Sequence, residues 1–160
     1  MQKKHASVEA MWSEYLNSID EDIKRTEKRY TSWHFCSDES SANNLAKLVL
    51  EGTKRGTAGL HELYKIDGDE IPADGCYSIV TDWEGVAQCV IQSKKVTILP
   101  FREVDAELAF IEGEGDKSLD YWRREHIKFF TEELKEYGME FSEDLLVVFE
   151  EFQVVFDGKP

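Results

Sequence analysis

The sequence predicts an α+β protein in which a mostly antiparallel, curled sheet is flanked by helices. Three observations carry that expectation. Apolar residues recur at spacings of three and four over residues 7–19 and 118–137, which is the helical period. Residues 76–99 and 145–156 are instead alternating or β-branched and aromatic. The two patterns do not alternate as βαβ units, so a parallel, doubly wound sheet is not expected. A chain of 160 residues, 41% hydrophobic, suits one domain.

In order, Val8, Met11, Trp12, Tyr15, Leu16 and Ile19 make one face of an amphipathic helix over residues 7–19, with Ser7 at its cap. Residues 20–30 place acidic and basic side chains at helical i, i+4 distances and read as a solvated helix or a linker. Trp33 and Phe35 alternate with Ser32 and His34 in a short strand over residues 31–35. Ser40 or Ser41 caps a second helix with Leu45, Leu48 and Val49 on its apolar face, and Gly52 stands where a left-handed residue would stop it. Residues 53–57 then fall on a tight, exposed loop. Residues 60–64 are locally helical or extended, and Asp67-Gly68-Asp69, Pro72 and Asp74-Gly75 supply turns.

Residues 76–81 and 86–92, joined through Asp82 to Gly85, read as an antiparallel hairpin that residues 96–99 prolong as a bent strand. Pro100 breaks the pattern before a short helix over residues 101–110 and the loop Glu112-Gly113-Glu114-Gly115-Asp116. Ser118 caps the strongest helix, with Leu119, Trp122, Ile127, Phe130, Leu134 and Tyr137 inward and Gly138 at its end. In the last strand, residues 145–156, the even positions Leu146, Val148, Phe152, Val154 and Phe156 define an apolar face that includes Glu150.

Charge narrows the function. The chain carries a net −14, of which residues 101–160 hold −10 and the first hundred −4. Long-range attraction to a phosphate backbone or an anionic membrane is therefore absent, and any nucleic-acid contact must be local. Three cysteines, Cys36, Cys76 and Cys89, form no C-x-x-C pair, which argues against a disulfide framework and a Cys-rich zinc site and fits reduced thiols in a cytoplasmic protein. No apolar run approaches a membrane span, and the start lacks a signal core.

Several residues are placed to carry chemistry. Gly52-x-Lys54-x-x-Thr57 combines a flexible backbone, a cation and a hydroxyl, yet lacks the Walker spacing, and the local sequence favours Gly52 as a helix stop with Lys54 solvated over a site. Glu112, Glu114 and Asp116, separated by glycines, crowd carboxylates that shift each other's pKa and serve as acid, base or divalent-ion ligands, or else lead into a capped helix. Glu150 on an apolar face must be paired, solvated at a pocket, or turned outward by a bulge. His126, beside Trp122 and Phe130, reads as a packed, hydrogen-bonded imidazole in preference to a ligand. Trp33 and Phe35 either stack a nucleobase or serve the core, and Arg55, Arg123 and Arg124 offer local attraction to phosphate.

Trp33-His34-Phe35, G-x-K-x-x-T, Pro100 to Asp105, E-G-E-G-D-K-S-L-D-Y-W-R, His126 with Phe129-Phe130, Phe141 to Asp144 and Val148 to Phe152 together resemble the ASCH domain family, in its longer bacterial form. Cys36 and Cys76 depart from the family pattern, standing where a glycine and a Gly-Asp pair are expected. The resemblance implies a PUA-like antiparallel β-barrel flanked by helices over residues 31–160, preceded by a helical extension over residues 1–30. It also implies an association with RNA or modified nucleosides. Family members are variously proposed to bind RNA as coactivator modules, to cleave RNA, and to hydrolyse N4-acetylated cytidine.

In the amidohydrolase members the motif's lysine and threonine act with a glutamate, which maps Lys54 and Thr57, with Glu112 or Glu114 as the glutamate expected within reach of Lys54. Trp33, Phe35, Arg55, Arg123 and Glu150 are the expected substrate contacts. The expected partner is a nucleoside or short RNA rather than a membrane, with no cofactor unless a ribonuclease activity recruits a divalent metal.

Overall fold

The computed structural model describes residues 3–158. The outermost ends of the two expected spans, residues 1–2 and 159–160, lie outside the described residues. The elements are α1 (Ala6–Ser18), β1 (Tyr30–Trp33), α2 (Glu39–Leu50), β2 (Gly56–Leu60), α3 (His61–Asp67), β3 (Tyr77–Thr81), β4 (Ala87–Pro100), a 3-10 turn (Phe101–Glu103), α4 (Ala106–Glu112), α5 (Leu119–Lys135) and β5 (Leu146–Phe156). The strands form one sheet in the order β1-β3-β4-β5-β2. No helix among the described residues is long and apolar enough to cross a membrane.

The chain divides into two compact units. The first runs up to Gly52, over Gly75–Lys94, and from Phe152 onward. Its hairpin obeys the expected period of two: Ile79 pairs with Val90 and packs on Val8, Trp12, Tyr15 and Leu16 of α1. Val80 pairs with Cys89, and both join Phe35, Ala46, Val49, Ile91 and Phe152 in a separate cluster. Burial there pushes the Cys89 thiol up to about 12, so it behaves as a small apolar side chain.

Several boundaries differ from expectation for local reasons. His5, not Ser7, caps α1 by accepting from the Ser7 backbone N–H, while the Ser7 hydroxyl accepts from Ala87 N. Asp38, not Ser40 or Ser41, caps α2 by accepting from Ser41 N. β1 pairs with β3 in parallel, Tyr30 opposite Tyr77, so the expected antiparallel sheet is mixed at this edge. The long stretch between the two strands is what makes a parallel return feasible. Cys36 has φ of 55°, the left-handed region that accounts for the glycine expected there.

The second unit covers Thr53–Asp74 and Lys95–Glu151. Its core joins Leu60 and Leu63 to Phe101, Val104, Ala109, Trp122, Phe130, Leu134 and Val147. The helix expected over residues 101–110 is split. Phe101 and Val104 are buried in that core, Val104 is extended, and the Asp105 side chain accepts from Leu108 N to start α4 afresh. Ser118 caps α5 as expected, but Ile127 and Tyr137 are exposed rather than inward. In β5 both faces are buried over residues 147–150, while Leu146 and Val154 of the expected apolar face are exposed.

Candidate active site

The candidate residues of the second unit converge because two short segments, 53–57 and 111–114, are tied together through their backbones. α2 ends with Gly52 in the left-handed region, as expected. The chain then runs straight into β2, so Thr57 stands on a strand and not on the expected loop. Arg55 N donates to Ile111 O at 2.8 Å, which lashes this segment to the end of α4. Glu112 is the last residue of α4, one residue earlier than a loop position, and Gly113 closes the helix with φ of 72°. Gly113 has no room for a side chain: an added Cβ would lie 2.1 Å from Thr53 O.

Lys54, expected exposed on its loop, is 1% exposed. Its Nζ donates to Gly56 O at 2.8 Å and to Glu114 Oε1 at 3.1 Å, and lies 3.6 Å from Glu112 Oε2. Burying an ammonium in this way is tolerable only because carbonyl and carboxylate oxygens replace its water. Both glutamates thus come within reach of Lys54, in unequal settings.

Glu112 is fully enclosed. Trp122 Nε1 donates to its Oε1 at 2.9 Å, and His126 Nε2 lies 2.9 Å from its Oε2. Burial works against its charge, but the His126 and Lys54 charges and these hydrogen bonds outweigh burial and hold the carboxyl down at about 2. His126 shows the reciprocal effect: burial opposes its charge, and Glu112 overrides burial and raises its pKa. Its other nitrogen, Nδ1, is 2.8 Å from Trp122 O. Both ring nitrogens therefore face acceptors, which an imidazolium satisfies and a neutral ring does not.

Glu114 is the more accessible carboxylate, with its side chain 18% exposed. Burial raises its pKa, and the Glu112 charge adds to that, against the pull of Lys54. Two carboxylates flanking one ammonium thus have environments that push their proton affinities apart, the pattern that separates an anchoring carboxylate from one that moves protons.

The donor atoms of Glu112, Glu114 and His126 lie within 4.8 Å of one another, the described residues that come nearest to a metal-ligand set. The Lys54 ammonium already supplies positive charge among them, and both His126 nitrogens are engaged. This donor set suits a fixed ammonium better than a divalent ion. Asp116, the third carboxylate of the expected cluster, is turned to Ser118 N at 2.8 Å at the lead-in to α5.

The other expected residues lie on β2, β5, α5 and in the first unit. Thr57 stands directly opposite Glu150 in the β2–β5 ladder, so their side chains share a face. That face is opposite to the one on which Ala58 and Leu60 join the core. Glu150 is buried and the ladder is unbroken across it, so no bulge turns it outward. Arg123 on α5 donates to Arg102 O at 3.4 Å. In the first unit, Phe35 is buried and Trp33 half-buried, in T-shaped contact with ring centroids 4.9 Å apart, and both belong to the α2-side apolar cluster. His126 is the packed, hydrogen-bonded imidazole that the sequence suggested, stacked on Trp122, whereas sequence reasoning missed Glu112 as its partner and Trp122 as a donor to Glu112. The spacing of Trp122 and His126 on α5, i and i+4, was the available signal, since it places them on one helix face.

The ASCH domain family model matches residues 31–156. The chain belongs to the ASCH domain family. A crystal structure of an ASCH domain from Lactobacillus crispatus is similar to it with a TM-score of 0.88 and 35% identity, covering 98% of each chain. That span takes in α1, which precedes the matched residues. A protein from Enterococcus faecalis is similar with a TM-score of 0.83 and 32% identity, over 94% of this chain and 89% of the other. No curated protein matches significantly. The expected α+β class is therefore that of solved ASCH domains, and Lys54, Glu112, Glu114, Trp122 and His126 all lie inside the matched residues.

Proposed function

We propose that this ASCH domain is a hydrolase acting on a nucleoside or short RNA, cleaving the amide of an N4-acylated cytidine. The observation that carries the reading is the split between the two carboxylates around Lys54: Glu112 is locked by Trp122 and His126, while Glu114 is partly open, has a raised pKa and touches the ammonium at 3.1 Å. In this reading Glu114 takes a proton from an attacking water as the water oxygen bonds to the acyl carbon. The Lys54 ammonium steadies the oxyanion that develops. The C–N4 bond then breaks, Glu114 returns the proton to the departing N4 amine, and the products are cytidine and a carboxylic acid. If Thr57 is the nucleophile instead, its hydroxyl loses the proton to Glu114 and an acyl ester precedes hydrolysis by water.

The net charge of −14 favours this small-substrate reading over a long RNA track. Product formation from N4-acetylcytidine is the test. Wild type should release acetate, Glu114→Gln should lose activity by about 100-fold or more while staying folded by circular dichroism, and Thr57→Ser should outperform Thr57→Val. Equal activity in Thr57→Val removes the covalent route, and an inactive wild type overturns the hydrolase reading in favour of a binding module.

A further inference from the structure

Phe110 is 52% exposed, the most exposed large apolar side chain among the described residues, although α4 buries its neighbours Ala109 and Glu112. The ring is not bare. The Arg55 guanidinium carbon sits 5.9 Å from its centroid and Lys117 Nζ 5.4 Å from it. The ring quadrupole attracts both charged ends and so restrains two long side chains that would otherwise sample many rotamers. Among the described residues neither cation forms an ion pair with a carboxylate, although residues 101–160 carry net −10. Each cation lies within about 6 Å of the same ring centroid, and two like charges brought this near one another are both favoured by an anion bound beside them.

Their placement ties them to the candidate active site. Arg55 directly follows Lys54 and is lashed to Ile111 O, next to Glu112. Lys117 N donates to Glu114 O at 2.9 Å, closing the turn that carries the proposed proton-moving carboxylate. Lys117 holds φ of 67°, a left-handed backbone that a lysine adopts only under constraint.

We infer that Arg55, Phe110 and Lys117 form a phosphate-recognition subsite, so that a phosphorylated nucleoside, as a nucleotide or within RNA, is preferred over a free nucleoside. This rests on the reading of the neighbouring site as one for cytidine derivatives, in which phosphate is the substituent that bears negative charge. Such a subsite gives local attraction where the whole protein repels anions.

Calorimetry with cytidine and with cytidine 5′- and 3′-monophosphates, on wild type and on Arg55→Ala, Lys117→Ala and Phe110→Leu, tests the subsite without requiring turnover. At least one monophosphate should bind about tenfold or more tighter than cytidine, as expected of two charge-assisted contacts. Each cation variant should erase most of that advantage while leaving cytidine binding unchanged, and Phe110→Leu should reduce it. Equal affinity for cytidine and both monophosphates in wild type, or an advantage that survives both cation variants, overturns the subsite. Hydrolysis of N4-acetylcytidine and of its 5′- and 3′-monophosphates in parallel separates the two claims: a phosphate preference in binding without turnover of any of the three sinks the hydrolase reading alone, and turnover without a phosphate preference sinks the subsite alone.

Discussion

Glu112 and His126 form one ionic unit whose protonation sets a stability window. Glu112 is lowered from 4.5 to about 2, so the stability it contributes is present above pH 4.5 and lost as pH falls through about 2. His126 is raised from 6.5, so its contribution is present below pH 6.5 and lost as pH rises through the raised folded value. Thermal midpoints measured across pH should therefore plateau for this pair between 4.5 and 6.5. His126→Gln should remove the alkaline decline, and an identical decline in that variant would contradict the pairing.

The two glutamates should also separate by phenotype. Glu112→Gln leaves Lys54 and His126 without their shared buried anion and should cost about 3–5 kcal/mol in urea unfolding. Glu114→Gln leaves Lys54 its Glu112 contact and should cost about 1 kcal/mol, with its larger effect on catalysis.

At the scale of elements, the end of α4 decides whether the site exists. Gly113 needs a left-handed backbone and also brings that backbone against Thr53. Gly52 shares the positive φ but faces open space, with nothing within 4 Å of an added Cβ. Gly52→Ala should therefore cost about 1 kcal/mol from backbone strain alone, and Gly113→Ala at least about 2 kcal/mol more, because Thr53 and Lys54 must move. Equal losses in denaturant titrations would mean that the close approach is unimportant.

This element also shows how far the sequence could be read. The hairpin, α5 and the Gly52 stop were legible because period, caps and turn residues act locally. The E-G-E-G-D run was legible as a carboxylate cluster near Lys54 through the family resemblance. What was not legible depended on distant partners. Glu112 is helical because Asp105 restarts the helix, Thr57 is in a strand because β5 pairs with it, and Lys54 is buried because Gly56, Glu112 and Glu114 supply the oxygens that replace its water.

For the molecule as a whole, net charge limits what can bind. With −14 overall and two restrained cations at the proposed subsite, affinity for unmodified RNA should not grow with oligonucleotide length. The logarithm of the binding constant against that of salt should fall with a slope of about −1.4, the value for two phosphate contacts on a single strand. Fluorescence anisotropy over a salt series reads both quantities, and a slope steeper than about −3 would require a basic track that the charge distribution lacks.

The division of the chain has a consequence for biogenesis. The first unit draws on three separate stretches, and its β1–β3 pairing waits for residues 77–80 while its apolar cluster waits for Phe152. The second unit is made in between, from two stretches. Neither can be completed from a contiguous nascent segment, so the ribosome must release most of the chain before either core closes. Aromatic clusters built around Trp12 and Phe35 then remain open during translation, which makes chaperone engagement of the emerging chain, followed by pulse proteolysis of stalled ribosome complexes, the natural place to watch this protein fold.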